Sequence, residues 1–302
     1  MPITKPTVLV LGAGASAPFG LPLGRDLRNM VCGLSSGTFV FQQLAPLGHS
    51  NDDIQAFMRE LRYSADGSVD AFLEGNPEYL EIGKRIIAAL LLPLEIERNL
   101  FPPAASGSNW YEYLANVMAV GTHDLSANAL SIITFNYDRS FEHYFSRVIS
   151  QRCRIPLGDA HERLRAIPIV HVHGSLGAYG ATPDGGLYGP TVNPEAVQRA
   201  AENIRIVSAV ADTDPVFDVA EELLDRAQRI LFLGFGYLPA NVRRLRTFET
   251  PARPGRLVDG TSVGIPERRW QQIKNEVLHG HWNGGRFQSS ILGYLEQWAD
   301  LD

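Results

Sequence analysis

Four short segments carry residues whose types and spacing could do chemistry. Gly12-Ala13-Gly14-Ala15-Ser16 follows the aliphatic run Thr7-Val8-Leu9-Val10-Leu11. With Ala17 it matches G-x-G-x-x-[G/A] between a strand and a helix. In that setting glycines permit a tight turn and let a diphosphate approach the backbone at a helix N-terminus. Ser16 adds a hydroxyl. A plain strand-to-helix turn would use the same glycines. The acidic ribose ligand that usually follows about 20 residues on is missing, and Asp26 falls short of that place. Asn136-Tyr137-Asp138 puts a carboxamide and a carboxylate just beyond another apolar run, although Asn and Asp serve equally well as turn and cap residues. In His171-Val172-His173-Gly174-Ser175 the two histidines share one strand face by the period of two. They could form half a metal site, but no third ligand stands at a recognisable spacing, so no metal is expected. One histidine suits a structural role and the other, beside Gly174, suits acid/base work. Leu233-Gly234-Phe235-Gly236-Tyr237 again allows close backbone approach, or a turn with a packed aromatic.

These segments need a scaffold that brings them together. Strand signals fall at 7–11, 129–134, 167–172 and 229–233, with a weaker one at 256–258. Helical signals fall at 24–31, 141–150, 216–227, 267–277 and 289–298. Strands alternating with helices imply an α/β fold: a Rossmann-like, mostly parallel sheet with helices on both faces. Ligands of such sheets bind at the carboxyl ends of the strands, where all four segments lie. Residues 35–128 change character. Helical periodicity appears over 53–63, where Ile54, Phe57, Met58 and Leu61 share a face. It appears again over 77–99, with Pro93 kinking or ending the helix, and over 110–120, with Tyr113, Leu114, Val117 and Met118 inward. The expected organisation is a sheet domain of residues 1–34 and 129–302, with 35–128 as an inserted helical subdomain serving as lid or assembly surface. A Gly/Pro-rich stretch over 174–194 reads as a long loop.

Composition narrows the function classes. The 302 residues are 45% hydrophobic and 20% charged, enough for a sizeable core. The formal net charge of −6 excludes the electrostatic footprint of a dedicated nucleic-acid binder. Arg243-Arg244-Leu245-Arg246 reads as a solvated helix face. Cys32 and Cys153 cannot make a disulfide framework or a four-thiolate zinc site, which fits a reducing, cytoplasmic setting. The N-terminus lacks a basic n-region, and the run 86–92 stops at Pro93, too short to span a membrane.

Taken in order, the motifs resemble those of the sirtuin superfamily. That family carries G-A-G-x-S, a strand-exit N-x-D and a strand-exit H-G; the counterparts are 12–16, Asn136-Tyr137-Asp138 and His173-Gly174. Ala17-Pro18-Phe19-Gly20-Leu21-Pro22 is similar to the family's G-[IL]-P segment. The likeness is greater to the bacterial defence branch, with its T-F-N-Y-D, H-G-S and late I-x-x-x-G-[FY] strand, matched by 134–138, 173–175 and 230–237. It covers the sheet domain and not the helical insertion in detail. Two cysteines cannot build the deacylases' zinc module.

The resemblance implies an NAD hydrolase that takes NAD as substrate and depletes it on phage infection. It implies that Asn136 positions water or ribose, that His173 is the general base, and that Asp138 holds the nicotinamide carboxamide. It further implies that Gly12, Ala13, Gly14 and Ser16 bind diphosphate, and that Gly234, Gly236 and Tyr237 line the adenosine half. A toxic activity needs control, so homo-oligomerisation or an activating partner such as a HerA-type ATPase is expected. The alternatives are an NAD-dependent protein deacylase and a non-catalytic NAD or ADP-ribose-binding assembly module. An ordinary Rossmann oxidoreductase is disfavoured by the missing ribose acid.

Overall fold

The computed structural model describes residues 2–102, 109–180, 188–189, 191–206, 214–299 and 301. Five strands form one sheet: β1 (Thr7–Leu11), β2 (Leu130–Thr134), β3 (Ile169–His171), β4 (Arg229–Leu233) and β5 (Leu257–Gly260). Their order is β3-β2-β1-β4-β5, and every pairing is parallel. Leu9 stands opposite Ile132 on one side and Leu231 on the other. The order reverses at β1, so a crevice opens outside the carboxyl ends of β1 and β4. This is a Rossmann-like α/β fold.

The central strands are unalternating aliphatic runs because both of their faces are covered. Leu9, Leu11, Ile132, Leu231 and Leu233 point to one face, under the helices Trp110–Val117, Ser140–Cys153, Leu157–Leu164 and Ile291–Gln297. Val8, Val10, Ile133, Ile230 and Phe232 point to the other, under Pro215–Arg226 and Pro239–Arg244 and against Trp270 and Trp282. Each buried aliphatic side chain contributes about 1.5–3 kcal/mol by leaving water.

A third core is helical. Leu27 and Val31 of Gly24–Cys32 pack with Val40 and Phe41 of Phe39–Leu44, Ile54 and Phe57 of Asn51–Tyr63, Phe72 of Val69–Gly75 and Ile86 of Leu80–Leu91. Val197, Ala200 and Ile204 close it from the later chain, beside Pro194–Asn203. The boundary of this unit differs from the expected 35–128. Trp110, Tyr111 and Leu114 sit instead in the core on the sheet, because their apolar face meets Ser140–Cys153 and Ile291–Gln297.

Three local expectations are corrected. Ile169–His171 is shorter than 167–172, since Pro168 has no N–H for the ladder and the chain turns after His171. The expected helix 267–277 divides into Glu267–Gln272 and a π-helical turn, Ile273–Val277. Over 77–99 the long helix is Leu80–Leu91, shorter at both ends than expected, and it ends just ahead of Pro93, as expected of that proline, which sits in the 3-10 turn Leu92–Leu94. Of the loop expected over 174–194, residues 181–187 and 190 lie outside the described residues. Among the described residues no helix is long and apolar enough to cross a membrane.

Candidate active site

A cavity of about 610 Å³ opens at the reversal of strand order, within the usual range for small-molecule sites. Every strand exit reaches it: Gly12, Ala13 and Gly14 after β1, Phe135 and Asn136 after β2, His173 after β3, Gly234 and Gly236 after β4, Thr261 after β5. The helical unit supplies the facing wall through Ser68, Asp70, Ala71 and Glu74.

The loops after β1 and β4 interlock. Gly14 N–H donates to Gly234 O at 2.9 Å, and Gly12 N–H to Leu233 O at 3.1 Å. Gly234 has φ +59, and a Cβ there would lie 2.2 Å from Ala15 N. A Cβ on Gly12 would lie 2.7 Å from Gly234 O. Loop packing therefore demands these glycines by itself. The helix that follows is a single turn, Ala13–Ser16, and Ala15 N–H is taken by Gly12 O. The loop thus offers a diphosphate fewer free N–H groups than a long helix N-terminus would. Gly236 differs, because a Cβ there would meet nothing within 4 Å.

Asn136 ties the loops together. Its amide donates to Gly12 O and to Ser16 Oγ, both at 3.0 Å. Both hydrogens of its side-chain amide are thereby engaged. Behind it lies a buried chain of polar groups. Ser16 hydrogen-bonds Asp138, and Asp138 accepts from Ser140 N–H at 3.1 Å and from Ser140 Oγ–H. Ser140 in turn meets Tyr111 OH at 2.9 Å. Burial pushes the Asp138 carboxyl up from its ordinary value, and the two serines offset part of that. Next to it Arg139 is buried against Glu95, with Nε 3.0 Å from Oε1.

The two histidines occupy different environments, contrary to the shared face expected from strand period. The strand ends at His171, so the period no longer applies at His173. His171 Nδ1 is 3.0 Å from Asn136 O and Nε2 is 2.7 Å from Glu142 Oε1. Burial is the largest influence and works against its proton, but Glu142, the Asn136 carbonyl and Asp138 together outweigh it and the pKa is raised. His173 packs edge-on against Phe135, with ring centroids 5.4 Å apart, and is 5% exposed. Its buried Nε2 has no hydrogen-bond partner. Burial lowers its pKa, so it is a neutral imidazole at neutral pH. Gly174 serves the backbone: at φ +68 it passes the chain of 203–205 so closely that a Cβ would lie 2.0 Å from Asn203 O.

Of the site residues expected from sequence, Gly12, Ala13, Gly14, Asn136, His173, Gly234 and Gly236 line the cavity. Ser16 and Asp138 line a small void on the far side of Asn136 instead. Tyr237 is fully buried and donates to Thr261 O at 3.0 Å. Sequence reasoning missed Thr261, whose Oγ1 accepts from Gly234 N–H at 2.9 Å, and the acidic pair Asp70 and Glu74. Ser68, which caps Val69–Gly75 by accepting from Ala71 N–H, was the readable signal for that helix. Among the described residues no group of three or more His, Cys, Asp or Glu side chains could hold a metal ion. No protein-family model matches the chain, and no curated protein sequence matches it.

Proposed function

We propose that the chain is an NAD glycohydrolase whose cavity binds NAD and whose chemistry breaks the nicotinamide–ribose bond. The observation that carries this reading is a neutral, unpartnered His173 beside the Asn136 carboxamide in one cavity at the strand-order reversal. A buried imidazole nitrogen without a partner costs stability, so it is retained for a ligand or a proton. The ordered motifs shared with sirtuin-like NAD hydrolases give that ligand its chemical class.

In the proposed reaction the C1′–N bond breaks and its electron pair goes to the nicotinamide nitrogen. Water oxygen bonds to C1′, and the proton it releases passes to His173. Asn136 accepts from the water or from a ribose hydroxyl and holds it in line. The products are nicotinamide and ADP-ribose, or a cyclic isomer if an adenine nitrogen attacks in place of water. Asp138 takes a role different from the one the resemblance implies: it fixes Ser16 and Ser140 behind Asn136 rather than the carboxamide. The same reading makes the chain a cytoplasmic, NAD-depleting defence effector. It is held in check by self-association or by an activating partner such as a HerA-type ATPase.

Incubation with NAD, with products resolved by mass, tests the proposal. Peptide-independent release of nicotinamide supports hydrolysis, and O-acyl-ADP-ribose formed only with an acylated peptide would support a deacylase. NAD binding without turnover, alone and with candidate partners, would point to an assembly module. Full cleavage by folded His173→Ala and Asn136→Ala chains would sink the residue assignment.

A further inference from the structure

Among the described lining residues the cavity's charged side chains are Asp70 and Glu74, both from the helical unit. Their surroundings differ. Glu74 Oε2 is 2.9 Å from Arg244 Nη2, so its charge is met by a guanidinium. Asp70 Oδ1 accepts from Tyr137 OH, a neutral donor, which leaves the carboxylate charge uncancelled. Tyr137 stays a phenol because burial, and then the Asp70 charge, push its pKa well up. The Tyr137 ring lies 6.3 Å from the His173 ring, and Asp70 is the charged group that acts most strongly on His173. A single negative charge therefore stands at the His173 end of the cavity, beside a buried imidazole that has no partner.

An anionic diphosphate is repelled from that end, and a cation is drawn to it. We infer that the Asp70 carboxylate faces the cationic ring of the bound dinucleotide, so that the cavity selects oxidised NAD over NADH and takes it ring-first toward His173. This rests on the reading of the cavity as an NAD site. The pyridinium of NAD carries a positive charge and the dihydropyridine of NADH does not, so the two ligands differ by the one property to which Asp70 responds. The same carboxylate faces the positive charge that grows on C1′ as the bond breaks, which gives it a positioning and electrostatic role in turnover.

The test is equilibrium binding of NAD, NADH and ADP-ribose to the full chain carrying His173→Ala, which slows turnover enough for binding to be read before NAD is consumed. This host is expected to bind NAD on the order of tenfold more tightly than NADH, the scale of one charge pair in a partly hydrated cavity. Adding Asp70→Asn, nearly isosteric and still able to accept from Tyr137, should bring the two within about twofold without weakening ADP-ribose binding. Asp70→Ser serves if the asparagine variant does not fold. Tyr137→Phe, which keeps the charge and removes the hydroxyl, should retain the preference. A preference that survives loss of the Asp70 charge overturns the inference, as does an equal loss of ADP-ribose affinity. If neither NAD nor ADP-ribose binds the host, the NAD reading itself fails and the inference falls with it.

Discussion

His171 and His173 are separated by a single valine, yet the walls they belong to follow opposite rules. On the His171 side the polar groups are paired with one another, and of those named only Glu142 Oε2 is left over: His171 with Glu142 Oε1 and Asn136 O, Asp138 with Ser16 and Ser140, Arg139 with Glu95. On the cavity side His173 packs on aromatic rings and its Nε2 is left without a partner. A satisfied buried network rigidifies and specifies position, whereas an unsatisfied buried group costs free energy that only a ligand or a reaction returns. The contrast separates residues that hold the site from residues that use it.

The largest expected effect lies on the cavity side. His173→Ala should lower NAD cleavage by roughly 10²–10⁴-fold, the usual contribution of a general base. The loss of stability should be limited to the ring's packing on Phe135 and Tyr137, because its Nε2 has no hydrogen bond to lose. A marked loss of stability without loss of cleavage would reverse the assignment of the two walls. Next comes the network. Glu95→Gln removes the carboxylate that pairs with the buried Arg139 guanidinium and should cost about 3–5 kcal/mol, read by urea unfolding. An unchanged denaturation midpoint would mean that the buried pair does not hold this wall.

The pH dependence of stability sharpens the comparison further, because the two histidines have opposite signs. The pKa of His171 is raised above its ordinary 6.5. Its contribution is fully present below pH 6.5 and is lost as pH rises through the folded-state value. Glu142 is lowered from its ordinary 4.5, since His171, a backbone N–H and Arg139 together outweigh burial. Its contribution is present above pH 4.5 and is lost as pH falls through the folded-state value. The pair is thus complete between pH 4.5 and 6.5. The pKa of His173 is lowered, so below pH 6.5 the unfolded chain gains a proton that the folded chain refuses, and stability falls with acidification. Relative to wild type, His171→Gln should lose stability on the order of 1 kcal/mol near pH 6 and less in alkali. His173→Ala should gain a similar amount as pH drops below 6.5. Melting curves from pH 5 to 9 check both, and shifts of the same sign would break the contrast.

The sheet was legible because the runs 7–11 and 229–233 are uniformly apolar, as buried parallel strands must be. The loops after them were legible for a related reason: glycine, asparagine and histidine stand out at the end of an aliphatic run. Their separate duties were not. That Gly12, Gly14 and Gly234 are needed by one another is a contact between loops more than 200 residues apart in sequence. Ser68 marked the start of Val69–Gly75, but nothing local placed Asp70 at the cavity, since its nearness to His173 is made by the packing of the helical core. Leu157–Leu164 and Pro194–Asn203 went unread because each buries little but alanine and a few aliphatic side chains, Ala160 and Leu164 in the first and Ala196, Val197, Ala200 and Ala201 in the second, a weak apolar stripe. Asp138 is buried away from the cavity, because a strand-exit carboxylate can turn toward the cavity or toward the following helix. Ser140, two residues on, draws it to the helix.

The smallest effect concerns Tyr237, which sequence order placed beside the ligand. It follows Gly236 in the loop after β4, but φ +50 turns it into the core. There its ring packs edge-on against Phe235 and Trp270 and its hydroxyl reaches Thr261 O at 3.0 Å. Thr261 also receives Gly234 N–H, so the hydroxyl braces the β4 and β5 exits without touching the cavity. Tyr237→Phe removes one buried hydrogen bond and leaves the Thr261 carbonyl without that donor, at a cost of about 1 kcal/mol. NAD affinity should be unchanged, while Asn241→Ala, which alters the cavity lining itself, should weaken it. If Tyr237→Phe weakens NAD binding more than it lowers the melting temperature predicts, the β4 loop carries ligand contacts through its backbone. Tyr237 would then belong with the holding wall and the using wall at once.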